Sequence, residues 1–97
     1  MPARDDRLDE DQLAVRRVRR QALAKALVTA RHTAGLTQGQ LAERSGLSRS
    51  AIARAEAGEA SLSSDRFWDL ARALGIRPSA LWLAAEADDA AAATLDD

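Results

Sequence analysis

In the segment LSRSAIARAEAG, residues 47–58, Arg49, Ser50, Ala53 and Arg54 fall on one side of a helix if the stretch is helical. An arginine fork can donate two parallel hydrogen bonds to guanine O6 and N7, a serine can donate to or accept from base edges and phosphates, and an alanine methyl can meet a thymine methyl. This chemistry is recognition rather than bond making. The competing reading is a solvated helix face on which two arginines only keep the chain soluble. Catalysis is not expected: the chain has no cysteine nucleophile, no glycine-rich phosphate loop, and one histidine, His32, without an evident serine or carboxylate partner. For the same reasons no metal site and no cofactor are expected, and His32 is assigned to the surface.

The elements that position these residues are marked by short local signals. Thr37 and Gln40 form a Thr-x-x-Gln capping box that opens a helix over residues 38–45. Gly46 follows where a left-handed residue turns the chain, and Ser48 caps a further helix over residues 49–57, ended by Gly58. Only about three residues separate the two helices. Ala42 is small where they cross, while Leu41 and Ile52 fill the space beneath. Upstream, Val15, Val18, Ala22 and Ala26 form one helical row and Leu23, Leu27, Ala30 and Ala34 its neighbour, which predicts a long first helix from about Gln12. Downstream, Ser63 caps a fourth helix carrying Phe67, Leu70 and Leu74, and Pro78 opens a fifth with Leu81, Trp82 and Leu83.

The composition agrees with five helices and an all-α fold. Of 97 residues, 23 are alanine, and no run alternates as a half-buried strand does. The absence of cysteine suits a reducing compartment, and with no apolar leader or membrane-length apolar run the expected location is cytoplasmic. The net charge of -1 hides a pattern: residues 16–31 hold six bases and no acid, whereas both ends are acidic. Residues 1–11 are expected to form a disordered or frayed arm, residues 12–86 the folded domain, and residues 87–97 a flexible Ala/Asp-rich tail.

The run GLTQGQLAERSGLSRSAIARAEAG, continued by FWDLARALGIRPSALW, resembles the phage-repressor and Cro type of helix-turn-helix, also called the Xre type. The resemblance extends from about Val28 to Leu83. It implies a lambda-repressor-like domain that binds double-stranded DNA as a transcriptional regulator, most simply a repressor, with the third helix in the major groove. Carried over residue by residue, it makes Arg49, Ser50 and Arg54 base-reading and Gln38 and Ser48 phosphate-contacting. For the last two, helix initiation alone is the alternative. It also pairs Arg31, at the end of the first helix, with Glu56. Such a pair, if partly buried, fixes the third helix against the first and leaves the guanidinium near a phosphate.

One departure from the family stands out. After Glu56 the family commonly has asparagine, glycine and a base, whereas this chain has Ala57, Gly58, Glu59 and Ala60, so the usual phosphate clamp of that loop is missing. Arg16, Arg17, Arg19 and Arg20 could compensate by reaching backbone phosphates; a solvated helix extension, or one docked on a partner's acids, is the alternative. Trp82 and Leu83 exceed what one short helix can bury, and the resemblance places the fifth helix in a two-fold homodimer that binds an inverted-repeat operator. Trp68 belongs either to the rim of the core or to that interface. A second function is compatible with the same fold: an antitoxin or other interaction module whose partner is a small protein such as a toxin, with DNA binding secondary.

Overall fold

The computed structural model describes residues 8–96. These form six helices and no strand: α1 (Glu10–Thr33), α2 (Gln38–Ser45), α3 (Arg49–Glu56), α4 (Ser64–Leu74), α5 (Pro78–Glu86) and α6 (Asp89–Ala93). The five expected helices are all present, each starting or stopping at the signals that mark it. Thr37 Oγ1 accepts the Gln40 amide while Gln40 Oε1 accepts that of Thr37, which closes the expected capping box. Ser48 and Ser63 cap α3 and α4 in the same way, through the amides of Ala51 and Arg66.

Two expectations are corrected at the ends of the chain. The arm does not extend to residue 11, because α1 starts at Glu10 behind a second capping box made by Asp9 and Gln12. Glu10 and Asp11 then sit in the first turn, where the helix dipole favours negative charge, so the acidity that suggested disorder supports the helix start. The remainder of the expected arm, residues 1–7, lies outside the described residues. The C-terminal segment is likewise not a free tail. Asp88 caps the short α6, whose Ala91 is buried, and the helix lies against α1 and α5. Asp88 also pairs with Lys25 of α1 at 3.6 Å, and Arg19 of α1 donates to the Thr94 hydroxyl and carbonyl. Alanine makes this docking possible, since a helix face of methyl groups lets α6 approach α1 closely.

One core joins all six helices. Leu27, Leu41, Ile52, Leu70 and Leu81 are its fully buried large side chains, and Ala22, Ala26, Ala42, Ala55, Ala71, Ala73, Ala85 and Ala91 fill the gaps between them. α2 packs on both α3 and α4, while α1 runs beneath α3, α5 and α6. The turn between α2 and α3 is held by Gly46, with φ 80° and ψ 4°. Ser45, the buried polar residue of this turn, donates to the Ala42 carbonyl and accepts the Leu47 amide, so the turn is bonded from inside.

Gly58 combines a left-handed backbone, φ 73°, with burial against α1. A Cβ there would lie 2.7 Å from Cδ of Gln21, whose amide donates to the Ala57 carbonyl, whereas one at Gly46 would meet nothing within 4 Å. Gly46→Ala should therefore lower stability by about 1–2 kcal/mol, the cost of left-handed backbone in an L-residue. Gly58→Ala should lower it further, because Gln21 must also leave Ala57. Urea unfolding midpoints that rank the two variants the other way would contradict this account.

Candidate nucleic-acid interface

α3 is amphipathic in the simplest way. Ile52 and Ala55 are buried, and Arg49, Ser50, Ala53 and Arg54 are exposed together on the opposite side. Among the described residues none of these four side chains enters a hydrogen bond or ion pair within the chain, so their donors and the Ala53 methyl are available to a ligand. Arg49 and Ser50 occupy the first turn, next to the Ser48 cap. The Ser48 oxygen accepts the Ala51 amide, which leaves its own O–H proton to donate outward.

The exposed face is held in place from behind. Arg31 of α1 grips Glu56 at the end of α3 with two parallel hydrogen bonds, Nε to Oε2 at 2.6 Å and Nη2 to Oε1 at 2.9 Å. A third bond runs from Arg31 Nη1 to the Leu36 carbonyl at 2.9 Å, and Gln38 of α2 donates to Glu56 Oε1 at 3.0 Å. One carboxylate thus ties together the first three helices, and Arg31 adds the loop between α1 and α2. Only 11% of the Arg31 side chain and 6% of the Glu56 side chain is exposed, so the pair is largely shielded from water. Burial pushes the Glu56 carboxyl up, but the hydrogen bonds from Arg31 and Gln38, aided by the charges of Arg31 and His32, outweigh it and hold the carboxyl below its ordinary value. The same bond to Glu56 raises the Arg31 guanidinium, against its own desolvation.

This network alters two expectations. The expected ion pair is present, but with three of its five donors engaged internally Arg31 is first a structural residue, and only two N–H groups remain for a phosphate. The Gln38 side-chain nitrogen does not point toward the ligand side; it is drawn to Glu56, and the backbone amide at the start of α2 is what this residue offers an anion. The Gln38 bond to Glu56 and the Gln21 bond to Ala57 have no local signature, since the partners lie 18 and 36 residues apart.

The four arginines expected to act together are separated. Arg19 is engaged by Thr94, and Arg16 lines a shallow groove with Arg19, Val15 and Thr94, on the side of α6. Arg20 instead lines a small cavity with Ala60, Ser61 and Leu62 of the loop after α3, and Arg17 is exposed one turn before Gln21. Of the aromatic residues, Trp82 is half exposed and stacks on buried Phe67 with ring centroids 4.7 Å apart. Leu83 is 65% exposed on the outer side of α5. Trp68 is 64% exposed on α4, beside Arg72, Ile76 and Pro78, in a groove that includes neither Trp82 nor Leu83. His32 is exposed in the last turn of α1.

The helix-turn-helix family model matches residues 27–81, from the second half of α1 to α5. The chain belongs to the Xre-type helix-turn-helix family of DNA-binding transcriptional regulators. It is similar to the restriction-modification controller protein C.AhdI from Aeromonas hydrophila, at 35% identity over 64% of this chain and 94% of that one, with a TM-score of 0.63. An XRE-family like protein from Pseudomonas syringae is 34% identical over 84% of this chain and 99% of that one, with a TM-score of 0.71. The clp gene regulator ClgR from Corynebacterium glutamicum is 30% identical over 81% and 84%, with a TM-score of 0.72. No curated protein matches the chain significantly in sequence. No helix among the described residues is long and apolar enough to cross a membrane.

The Arg31–Glu56 junction gives a pH-dependent prediction. Because the folded-state pKa of Glu56 is depressed, the pair's contribution to stability is complete above the ordinary glutamate value of about 4.3 and is lost as pH falls through the lowered one. Glu56→Ala, which leaves Arg31 without its counter-charge, should cost about 3 kcal/mol at pH 7. It should also remove part of the acid-side decline in stability. Thermal unfolding of both proteins between pH 2 and 7 measures the two effects, and an unchanged acid limb in the variant would contradict the assignment.

Proposed function

We propose that this protein binds double-stranded DNA sequence-specifically as a homodimer and acts as a transcriptional repressor. The observation that carries the reading is α3, whose Arg49, Ser50, Ala53 and Arg54 form an outward face without internal partners among the described residues, on a helix fixed from behind by Arg31, Glu56 and Gln38. In this reading α3 enters the major groove. The two arginines read guanines, Ser50 reads a neighbouring base edge or phosphate, and Ala53 meets a thymine methyl. Ser48, the amide of Gln38 and the remaining N–H groups of Arg31 contact the sugar-phosphate backbone, with further phosphate contacts from the basic stretch of α1. The family membership and the regulators it resembles support this assignment.

The homodimer is assigned to the outer side of α5, where Leu83 and the free face of Trp82 expose apolar surface that one subunit cannot cover. A two-fold axis there sets two α3 helices about one DNA turn apart, roughly 34 Å, and the operator is accordingly an inverted repeat. A role as an antitoxin-like partner module is less favoured, because the residues after Asp88 dock on this chain's own α1 instead of being free to wrap another protein.

Selection from a random duplex pool should enrich an inverted repeat. Against that sequence, Arg49→Ala and Arg54→Ala should each lose about 1–3 kcal/mol of discrimination over scrambled duplex. Equal affinity of wild type for selected and scrambled DNA would refute the reading. Leu83→Asp should convert the protein to a monomer in sedimentation while keeping the fold, since Leu83 contributes little to the core. A dimer that survives this change would place the interface elsewhere.

A further inference from the structure

The loop between α3 and α4 follows the helix assigned to the groove, yet from Ala57 to Ser63 it contains no base and presents Glu59. It is folded back on the reading helix, because the Glu59 amide donates to the carbonyl of Arg54 at 3.0 Å. DNA docked on Arg54 therefore brings phosphates close to this loop, beside an acid. Two arginines of α1 flank the same place. Arg20 lines a small cavity together with Leu23 and Ala24 of α1 and Ala60, Ser61 and Leu62 of the loop. Arg17 is exposed and lies four residues before Gln21, whose amide donates to the Ala57 carbonyl, so Arg17 and Gln21 share one side of α1.

Neither guanidinium is held by an acceptor among the described residues. Arg20 Nε is buried without a hydrogen-bond partner, an arrangement that carries a free-energy penalty and that rotation toward an external acceptor relieves. Arg19 is the contrast: its Nε and Nη2 are both taken by Thr94, and Arg16 shares its side of the helix. We propose that Arg17 and Arg20 form a phosphate clamp that α1 supplies to the DNA backbone beside the α3–α4 loop, in place of the base that the loop lacks. Arg16 and Arg19 belong to the α6 side and take no part. The assignment rests on DNA binding by α3 and names which residues of the basic stretch reach the backbone.

The test is the salt dependence of binding to the selected duplex and to a scrambled one. Removing a base that neutralises one phosphate flattens the slope of log K against log salt by about 0.9. Arg17→Ala should flatten it by about one unit per subunit and Arg17→Ala/Arg20→Ala by about two, with both duplexes weakened equally. Arg72→Ala on α4 serves as the charge-matched control and should leave the slope unchanged. Adding Glu59→Lys to the double variant should restore much of the slope, because it returns a base to the loop. Arg17 is exposed, so the single variant gives an answer even if loss of the Arg20 stem weakens the fold. An unchanged slope in Arg17→Ala, or a flattening that occurs in Arg16→Ala instead, overturns the clamp while wild-type binding leaves the DNA reading intact. Failure of the wild type to bind any duplex overturns both.

Discussion

The fold is organised around the carboxylate of Glu56. Three donors converge on it, two from Arg31 and one from Gln38, and they come from two helices other than its own. Removing an ion pair from water carries a desolvation penalty, so a salt bridge this enclosed is not explained by stability alone. Its geometric effect is clearer. A bidentate fork fixes the direction as well as the distance between its partners, which sets both the tilt and the rotation of α3 about its axis. Rotation is the quantity that matters here, because turning an eight-residue helix by one residue would carry Arg54 off the outward face.

Such a device is needed because the core beneath α3 is built from small parts. Ile52 is its only large buried side chain, and its other buried residue, Ala55, presents a methyl group. Methyl groups let helices approach closely, but they interdigitate less than leucine or phenylalanine and so discriminate less between neighbouring orientations. The chain compensates with directional bonds. The capping boxes at Thr37 and Asp9, the Ser45 contacts inside the turn, the Gln21 bond to Ala57 and the Arg31 fork each specify an angle that alanine packing leaves open.

This division between local and distant bonds also decides what was legible in the sequence. The bounds of α2 and α3, the turn between them and the outward set on α3 follow from Thr37, Gln40, Gly46 and Ser48, all within a few residues of what they control. The Arg31–Glu56 pair was legible only through the family resemblance, since 25 residues separate the partners. α6 was not legible: alanine carries little information about which face is buried, and its fastening by Arg19 to Thr94 spans 75 residues. At the other end the signal existed but was outweighed by composition. Asp9-x-x-Gln12 is the same type of motif as Thr37-x-x-Gln40, and the acids around it suggested disorder although their place in a first helical turn stabilises the helix. Adjacency in sequence makes the four arginines of α1 look like one cluster, although a helix distributes such a run around its circumference.

The charge pattern acquires a physical sense from this distribution. Charge alone produces affinity that is indifferent to sequence and sensitive to salt, whereas bonds to base edges produce discrimination. An arginine tied to the protein contributes to neither as fully as one that is free. Arg31 and Arg19 are tied, and they hold the helices together. Arg49 and Arg54 have no partner among the described residues, on a helix whose rotation Glu56 has already set, so under the proposed docking two side chains rather than a segment of backbone would have to be ordered. The entropy of ordering is then confined to about 2 kcal/mol or less for each arginine. If these arginines read bases as proposed, the helix is already preset, so their bonds to the correct bases would not be offset by folding, and a modestly charged protein would discriminate between sequences without strong indiscriminate binding.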